Sequence, residues 1–435
     1  MMDGDYHKYR SMDEAFAAGI TLVPGRTWNS EHMLCNYESM LRDCDRLGMA
    51  ATTNGVTTRY LDLSDPETLR AYRRWAVEHI RKLRNHPSLW LWGIDYNIGM
   101  GPNSFWPTEL GRGEFTFWGN TNVSLGSLIH REIDPTRDTY VHGGIIAPGI
   151  PSCNIYLNHV PLQEAEEWPS EWAEKGDRHF LAIEYMGSVL EQDFQKNMRS
   201  YVTEYAARLH GDRAYREEPD EYVRYAAYNL PRFGGDVWSY NPSVCAPAVV
   251  EISCDGYLRA TRAWRFWGVT VRPWIFNIDL GQWLPEPQRA GQRTIWQAYL
   301  QSVRPIQLWL GGPAGVFTAR NGNFTSGETV EKSLVAIRDL SGMDTWRVSW
   351  EARLVNRPGT VAQGSFLQPA GPYARIHTPF RFTAPAVDRP EPMTITLTVA
   401  NMVTGQEIGH DEFTAMVFPA VWPDIALPLR RHDSR

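Results

Sequence analysis

The periodicity of apolar residues changes once along the chain, at Arg304-Pro305. Before this point, short apolar segments alternate with longer amphipathic segments, a pattern typical of βα units around a parallel sheet. After it, apolar and polar residues alternate one by one, as in half-buried antiparallel strands. Because a single core rarely serves 435 residues, the change predicts two domains, residues 1–304 and 305–420, followed by a loosely held tail over residues 421–435.

The first domain is predicted to be an α/β fold of the (β/α)8 TIM-barrel type. Asp65 and Pro66 predict the cap and first turn of a helix that ends before His86-Pro87, since the residue before a proline disfavours the helical region. Apolar runs bounded by polar turns predict buried strands at residues 20–23, 49–53, 89–94, 139–142, 155–160 and 180–183.

The first and last strands of the barrel are harder to assign than the strands between them. Residues 235–240 and 268–277 both fit the last strand, and the helical pattern of residues 258–266 favours the second. No good first strand precedes Gly19, so the barrel is expected to lack a regular first strand. An open barrel exposes apolar edges, which predicts a homo-oligomer.

The second domain is predicted to be a β-sandwich of the immunoglobulin-like kind. Apolar residues recur at every second position, and turns that contain Gly and Pro separate the strands. The predicted strands cover residues 346–354, 376–382, 393–399 and 413–417.

Composition excludes several classes of partner. A formal charge of -7 leaves no broad basic surface for nucleic acid or for anionic membranes. No run approaches the roughly 18 apolar residues of a membrane span, and residues 1–10 are too polar for a secretory signal, so the chain is expected to be soluble, in an unspecified compartment. Five cysteines without paired spacing, and His142 and His159 without further ligands nearby, predict neither a disulfide framework nor a metal or cofactor site.

Three segments carry a resemblance to a known family. Residues 84–92 (RNHPSLWLW) resemble the signature before the fourth barrel strand of family-two glycoside hydrolases, which include β-galactosidases and β-glucuronidases. Residues 134–137 (DPTR) resemble the segment before strand five, and residues 180–185 (FLAIEY) resemble strand seven. Residues 326–332 resemble the immunoglobulin-like domain that follows the barrel in many of these enzymes, and residues 156–164 (YLNHVPLQE) resemble a bacterial subgroup with Asn in place of a catalytic Glu.

The resemblance implies a retaining glycosidase that acts on a β-linked oligo- or polysaccharide. In this fold the chemistry lies at the carboxyl ends of the strands, where Glu184 falls, and the resemblance makes Glu184 the nucleophile. Retaining enzymes need a second carboxyl group as acid and base. At that position the family has Glu and this chain has Asn97, an amide that cannot donate an acidic proton.

Three explanations of Asn97 remain open. A displaced acid such as Asp95 or Glu31 could serve, because residues two apart in a strand, such as Asp95 and Asn97, point to one side. The natural leaving group could need little acid assistance. Alternatively, the protein binds sugar without cleaving it. Glu31 also fits a cap of the helix that follows it, and Asp95 also fits an inward structural carboxylate.

Further side chains near the strand ends are candidates for contacting the sugar. Trp274, or Trp238 with the other choice of last strand, could supply an apolar platform, although both also suit a core. The predicted substrate-binding residues are Trp28, Asn29, Glu31, His142, Tyr156, Asn158, Tyr185, Trp238 and Trp274.

Two functions are therefore in competition. The first is a glycoside hydrolase with Glu184 as nucleophile, and the second is a non-catalytic carbohydrate-binding descendant that has lost its acid at Asn97. A barrel enzyme of another reaction class is a third reading, since this fold hosts many chemistries, but no phosphate-binding glycine loop or cofactor lysine motif favours it.

Overall fold

The computed structural model describes residues 12–17, 22–23, 37–54, 56, 58–96, 120–142, 149–150, 152–155, 162–176, 178–185, 247–273, 294, 297–298 and 300–421. The chain divides into two compact units, an N-terminal unit over Met1–Arg304 and a C-terminal unit over Pro305–Arg435. None of the helices within these ranges combines the length and the apolar character that a bilayer crossing requires.

The N-terminal unit contains parallel strands that pair in the order of the sequence. Strands β1 to β4 form one sheet and β5 to β7 form a second. Between the sheets, the Ile150 amide donates to the Thr139 carbonyl at 2.8 Å, and the Ser152 hydroxyl donates to the Val141 carbonyl. The strands are β1 Leu22–Val23, β2 Ala50–Asn54, β3 Leu89–Tyr96, β4 Thr139–His142, β5 Ser152–Ile155, β6 Leu181–Tyr185 and β7 Thr270–Pro273.

Amphipathic helices alternate with these strands, as βα units require. The Asp65 carboxylate accepts a hydrogen bond from the Thr68 amide at 2.7 Å, and Pro66 occupies the first turn, so the predicted start of this helix is confirmed. The described helices are α1 Met12–Ala17, α2 Tyr37–Leu47, α3 Pro66–Leu83, α4 Asn120–Ile133, α5 Leu162–Glu167, α6 Ser170–Lys175 and α7 Pro247–Phe266.

Most predicted strands are found where the apolar runs lie. Of the strand predicted at residues 155–160, only Ile155 lies within the described residues, where it ends β5, Ser152–Ile155. The polar first residue of β5, Ser152, donates to the Val141 carbonyl. The choice of residues 268–277 for the last strand is confirmed at Thr270–Pro273, and the alternative at residues 235–240 lies outside the described residues.

Both faces of the first sheet are covered by apolar side chains. On the helix side, Trp92, Ile94 and Val141 join a buried cluster with Leu41 of α2 and Val123 of α4. On the opposite side, residues from both sheets form a second cluster, consisting of Leu91, Tyr140, Ile150 and Leu181. This second cluster places β3, β4 and β6 around a shared interior.

The two motifs before β3 and β4 form one hydrogen-bond network at the amino-terminal ends of the strands. Asp45 of α2 contacts His86 Nδ1 at 2.6 Å and accepts from the Ser88 amide at 2.9 Å. Arg137 donates to the Leu89 carbonyl at 2.6 Å and to the His86 carbonyl at 3.2 Å. The network thus fixes the entry of the chain into β3.

Asp134 is the centre of the second half of this network. Its carboxylate accepts from Trp92 Nε1 at 3.0 Å, from Arg137 Nη1 at 3.0 Å and from the Thr136 amide at 3.1 Å. Burial alone would raise the pKa of Asp134, but hydrogen bonds from Thr136, Trp92 and Arg137 outweigh it and lower that pKa. Asp134 is therefore a buried, ionised carboxylate that accepts hydrogen bonds from three residues.

A buried histidine, His130, and a half-buried one, His79, lie between α3, α4 and β3. The His79 ring stacks on Trp75 with 4.9 Å between the ring centroids, and Nδ1 of His130 contacts the Gly126 carbonyl at 2.9 Å. Burial lowers the pKa of each histidine to about 4, and for His79 the nearby charges of His130 and Lys82 act in the same direction. Both rings are neutral in the folded chain at neutral pH.

This burial predicts acid sensitivity of the N-terminal unit. Because the folded-state pKa of about 4 lies below the unfolded value of about 6.5, the unfolded chain binds more protons between these values. The stabilising effect of the neutral rings is complete above pH 6.5 and declines as pH falls toward 4. We expect the free energy of unfolding to fall by about 2 kcal/mol between pH 7 and pH 5.5, measured by urea denaturation.

A matched variant separates these histidines from other titrating groups. In His79→Phe the ring that packs on Trp75 is kept and one titrating group is removed, so about half of the pH-dependent loss should disappear. A pH profile identical to that of the unchanged chain would contradict the assignment.

The C-terminal unit consists of two sheets on one core. The first sheet has the strand order β13-β10-β8 and the second β12-β11-β14-β15-β9, with antiparallel pairing except between β15 and β9. The strands are β8 Ile306–Gly311, β9 Asn323–Thr325, β10 Thr329–Arg338, β11 Asp344–Leu354, β12 Ala362–Ala370, β13 Ala374–Thr383, β14 Glu391–Asn401 and β15 Glu407–Phe418.

The predicted alternation of apolar residues in this unit is confirmed. Trp346, Val348 and Ala352 of β11 and Ile395 and Leu397 of β14 are all fully buried in a single cluster to which both sheets contribute. The intervening residues of these strands point away from the core, because successive side chains in a strand alternate between faces.

Candidate functional site

The carboxyl ends of β3, β4 and β6 carry the candidate residues that the structure describes. Asp95 is paired with Val141 in the parallel register, and Tyr96 is paired with His142. In the second sheet Glu184 is paired with Asn154 and Tyr185 with Ile155. Since parallel strands end at one edge of a sheet, each sheet presents its candidates at the edge where α/β folds hold their ligands.

Both acid-bearing strands contain one extra residue just before the acid. In β3 the partners advance from Gly93 with Tyr140 to Asp95 with Val141, so Ile94 is the extra residue. In β6 the register shifts in the same way at Ile183, before Glu184. Such irregularities are common beside active sites, where they change the direction of a side chain.

Asp95 is a buried carboxylate with a described environment. Its side chain is 2% exposed, and Thr58 Oγ1 donates to its Oδ2 at 3.1 Å. Thr58 belongs to a short 3-10 helix, Thr58–Tyr60, that follows β2. Burial, and then the negative charge of Asp95, raise the pKa of the Tyr72 hydroxyl, so this phenol stays protonated near the carboxylate.

Helix α4 packs closely against this group because it has a glycine there. A Cβ at Gly126 would lie 2.9 Å from Thr58 Cγ2 and 3.0 Å from the Tyr72 hydroxyl oxygen. The motifs of the sequence gave no indication of Thr58, and only its place after a strand that ends at Asn54 marks it as a candidate. Thr58 is thus a hydrogen-bond partner of Asp95 that sequence reasoning missed.

The remaining predicted site residues fall in three groups. Glu184, Tyr185 and His142 are described by their backbone, and their side chains lie outside the description. Asp95 is described in full. The residues that lie outside the described ranges are Asn97, Trp28, Asn29, Glu31, Tyr156, Asn158, Trp238 and Trp274.

A cavity of about 630 Å³ lies at the opposite, amino-terminal edge of the strands. Its wall includes Ser88 and Arg137 of the hydrogen-bond network, together with Trp90 and Cys44. Burial, and then the charges of Asp45 and Asp43, raise the pKa of the Cys44 thiol to about 12, so this thiol is unreactive. Among the described residues, no three His, Cys, Asp or Glu side chains form a group that could hold a metal ion.

Comparison with known proteins gives matches in structure and none in sequence. No protein-family model matches the sequence, and no curated protein matches it.

Three solved structures are similar to the chain. The β-D-mannosidase of Dictyoglomus thermophilum has a TM-score of 0.50 at 14% identity, over 92% of this chain and 46% of that one. The exo-chitosanase of Amycolatopsis orientalis has a TM-score of 0.46 at 10% identity, over 92% and 45%. A glycosyl hydrolase family 2 member from Bacteroides cellulosilyticus has a TM-score of 0.29 at 14% identity, over 94% and 42%.

The likeness to the mannosidase shows a shared fold. The chain spans about half the length of the mannosidase and of the chitosanase. At 14% identity the shared fold carries no information about which residues react.

Proposed function

We propose that this chain is the barrel and the following β-domain of a family-two-like glycoside hydrolase that cleaves a β-linked oligo- or polysaccharide with retention. Glu184 is the nucleophile in this proposal. The observation that carries it is the position of Glu184 at the carboxyl end of a parallel strand, directly after a register shift, in a chain whose fold resembles a β-mannosidase.

The proposal includes a (β/α)8 barrel and an immunoglobulin-like domain. What supports the barrel is the apolar cluster shared by Leu91, Tyr140 and Leu181, because strands of two flat, separate sheets would not converge on one interior. What supports the second domain is the pair of sheets packed on one core.

The reaction needs two steps at one anomeric carbon. The Glu184 carboxylate attacks that carbon while the bond to the leaving oxygen breaks, and the leaving oxygen takes a proton from an acid or from water. Water then attacks the glycosyl ester and releases the carboxylate, so the sugar keeps its configuration. Glu184 must therefore be ionised before the first step.

A slow substrate provides the direct test of this role. A 2-fluoro glycoside with a good leaving group forms the ester faster than water removes it, so the label accumulates on the nucleophile. We expect the full chain to gain the mass of one sugar, located on the peptide that contains Glu184. A label on another carboxylate, or no label with any β-glycoside tested, would refute the assignment.

Asp95 is our candidate for the acid in place of Asn97. Its support is its position, because Asp95 is two residues before Asn97 in the sequence and lies near the carboxyl end of β3, where its carboxylate accepts a hydrogen bond from Thr58 at 3.1 Å. The burial of Asp95 favours a structural role, and a general acid must in addition reach the leaving oxygen to give it a proton.

Leaving-group dependence distinguishes the two roles of Asp95. In Asp95→Asn, kcat/KM should fall by about 10²-fold or more for a sugar or alkyl leaving group, and by much less for an activated aryl group that needs no proton. An equal loss for both substrates, with a lowered unfolding midpoint, would make Asp95 a structural residue instead. Thr58→Val is the companion variant, since it removes the donor to Asp95 and keeps the carboxylate.

A non-catalytic carbohydrate-binding protein is the second candidate. Asn97 at the position of the family's acid favours it. In that case the chain would bind β-glycans, and hydrolysis of activated aryl glycosides would be the same with and without Glu184.

A further inference from the structure

The outer face of the five-stranded sheet in the C-terminal unit carries a groove of about 500 Å³. Its floor lies across β12, β11 and β14, which are neighbours in the sheet. The lining residues are Ser349, Trp350, Glu351, Gln363, Gly364, Ser365, Thr396 and Thr398.

The strand register arranges the polar side chains of the groove in two rows. Ser349 is paired with Ser365 on one side and with Thr398 on the other. Glu351 is paired with Gln363 and with Thr396 in the same way. Neighbours within a row are about 5 Å apart and the rows are about 7 Å apart, as strand geometry dictates.

Side-chain length explains why this face is concave. The floor is made mostly of short Ser and Thr side chains, whereas Arg347 and Arg353 precede and follow it on β11, and Glu412 of β15 is paired with Thr396. On the inner side, Trp350 stacks on Phe380 with 4.7 Å between the ring centroids, so the floor is backed by a rigid core.

The charge of the groove restricts its ligand. The lining described in the C-terminal unit contains no Lys or Arg, and of the two arginines at its ends Arg353 is paired with Glu351, so the groove offers no row of cations to a phosphate-bearing polymer. Its carboxylate, Glu351, is compensated by Arg353 Nε at 2.7 Å and by the Thr360 hydroxyl. A neutral groove with two rows of hydroxyl, amide and carboxylate groups matches a neutral polymer that presents hydroxyls in a row.

From these observations we propose that the groove binds a neutral β-linked polysaccharide, lying across β12, β11 and β14. The identity of the polymer rests on the proposed function, and the groove would hold the same substrate class that the N-terminal unit acts on. Binding at a second place raises the local concentration of chain ends near the reacting site.

Affinity electrophoresis tests the groove directly. The full chain, carrying Glu184→Gln so that no polymer is consumed, is run through native gels that contain soluble β-mannan or soluble β-glucan. We expect retardation by at least one of the two. Thr398→Val and Ser349→Ala should each weaken the apparent affinity about fivefold, the effect of one lost hydrogen bond, and Ser349→Leu should weaken it further by filling the floor.

Thr414→Val is the matched control. Thr414 lies on the same face and is paired with Thr394 of β14, outside the groove. Retardation lost in the groove variants and kept in Thr414→Val supports the proposal, provided that the melting temperatures agree. Equal retardation of all variants, or no retardation by either polymer, overturns it. If retardation depends on the groove but the unchanged chain shows no hydrolytic activity, the proposed hydrolase function is refuted and the proposed binding site is supported.

Discussion

Hydrolysis of an activated aryl β-glycoside is expected to fall by about 10³-fold or more in kcat/KM when Glu184 is replaced by Gln. The amide is isosteric with the carboxylate but carries no charge, so it cannot attack the anomeric carbon. An aryl leaving group departs without a proton, and for this reason the assay reports on the nucleophile whichever group serves as the acid. Initial rates over a panel of aryl β-glycosides measure the effect.

Glu174→Gln provides the control for this experiment. Glu174 lies exposed on α6, so the same change of side chain there should leave kcat/KM unchanged. If Glu184→Gln retains the rate of the unchanged chain, the nucleophile is another group and the role proposed for Glu184 is wrong. Melting temperatures of both variants show whether a loss of rate is a loss of fold.

Replacement of Asp134 by Ala is expected to destabilise the N-terminal unit by about 3 to 5 kcal/mol. The carboxylate is 4% exposed, and its removal leaves the Arg137 guanidinium and the Trp92 indole N–H without their acceptor in the interior. The half-buried arginine keeps the Leu89 and His86 carbonyls as acceptors but loses the carboxylate that balances its charge. Urea denaturation followed by tryptophan fluorescence measures the change.

A surface ion pair on the same connection is the control for this prediction. Asp138 lies 3.0 Å from Arg131, and both side chains are more than 40% exposed. Asp138→Ala should therefore cost less than about 1 kcal/mol. If the two variants unfold at the same urea concentration, the network around Asp134 does not contribute to stability as we infer.

The sequence predicted local structure well wherever a single physical rule decides it. The start of α3 follows from Asp65 and Pro66, whose cap and fixed backbone angle are local properties. The strands of the C-terminal unit follow from strict alternation of apolar residues, because one face of each strand is buried. Both kinds of signal are present in a few consecutive residues.

Features set by neighbouring strands were not predictable in this way. The extra residues at Ile94 and Ile183 exist only in the register between strands, and no periodicity of a single segment reveals them. The start of β5 at Ser152 was not predicted because Ser152, a polar residue, is bonded to a carbonyl of β4. Thr58 was missed for the same reason, since its partner Asp95 is 37 residues away.

The motifs that carried the resemblance are also informative in an unexpected way. At the amino-terminal ends of the strands, Arg137 donates to the backbone carbonyls of Leu89 and His86, and Asp134 accepts from the Trp92 indole. Glu184 lies at the carboxyl end of its strand. The motif residues before β3 and β4 therefore stabilise the fold, and their presence says little about catalysis.

Because the stabilising network and the candidate reacting residues lie at opposite ends of the strands, a change in the reacting residues need not destabilise the fold. The bonds that secure β3 and β4 would be untouched if the acid at the far edge were exchanged, as Asn97 suggests it has been relative to the enzymes. A protein built in this manner can lose a reaction, or acquire a new preference, while remaining fully folded. A folded protein without hydrolytic activity would therefore be evidence about the residues at the carboxyl ends of the strands. It would not be evidence against the fold.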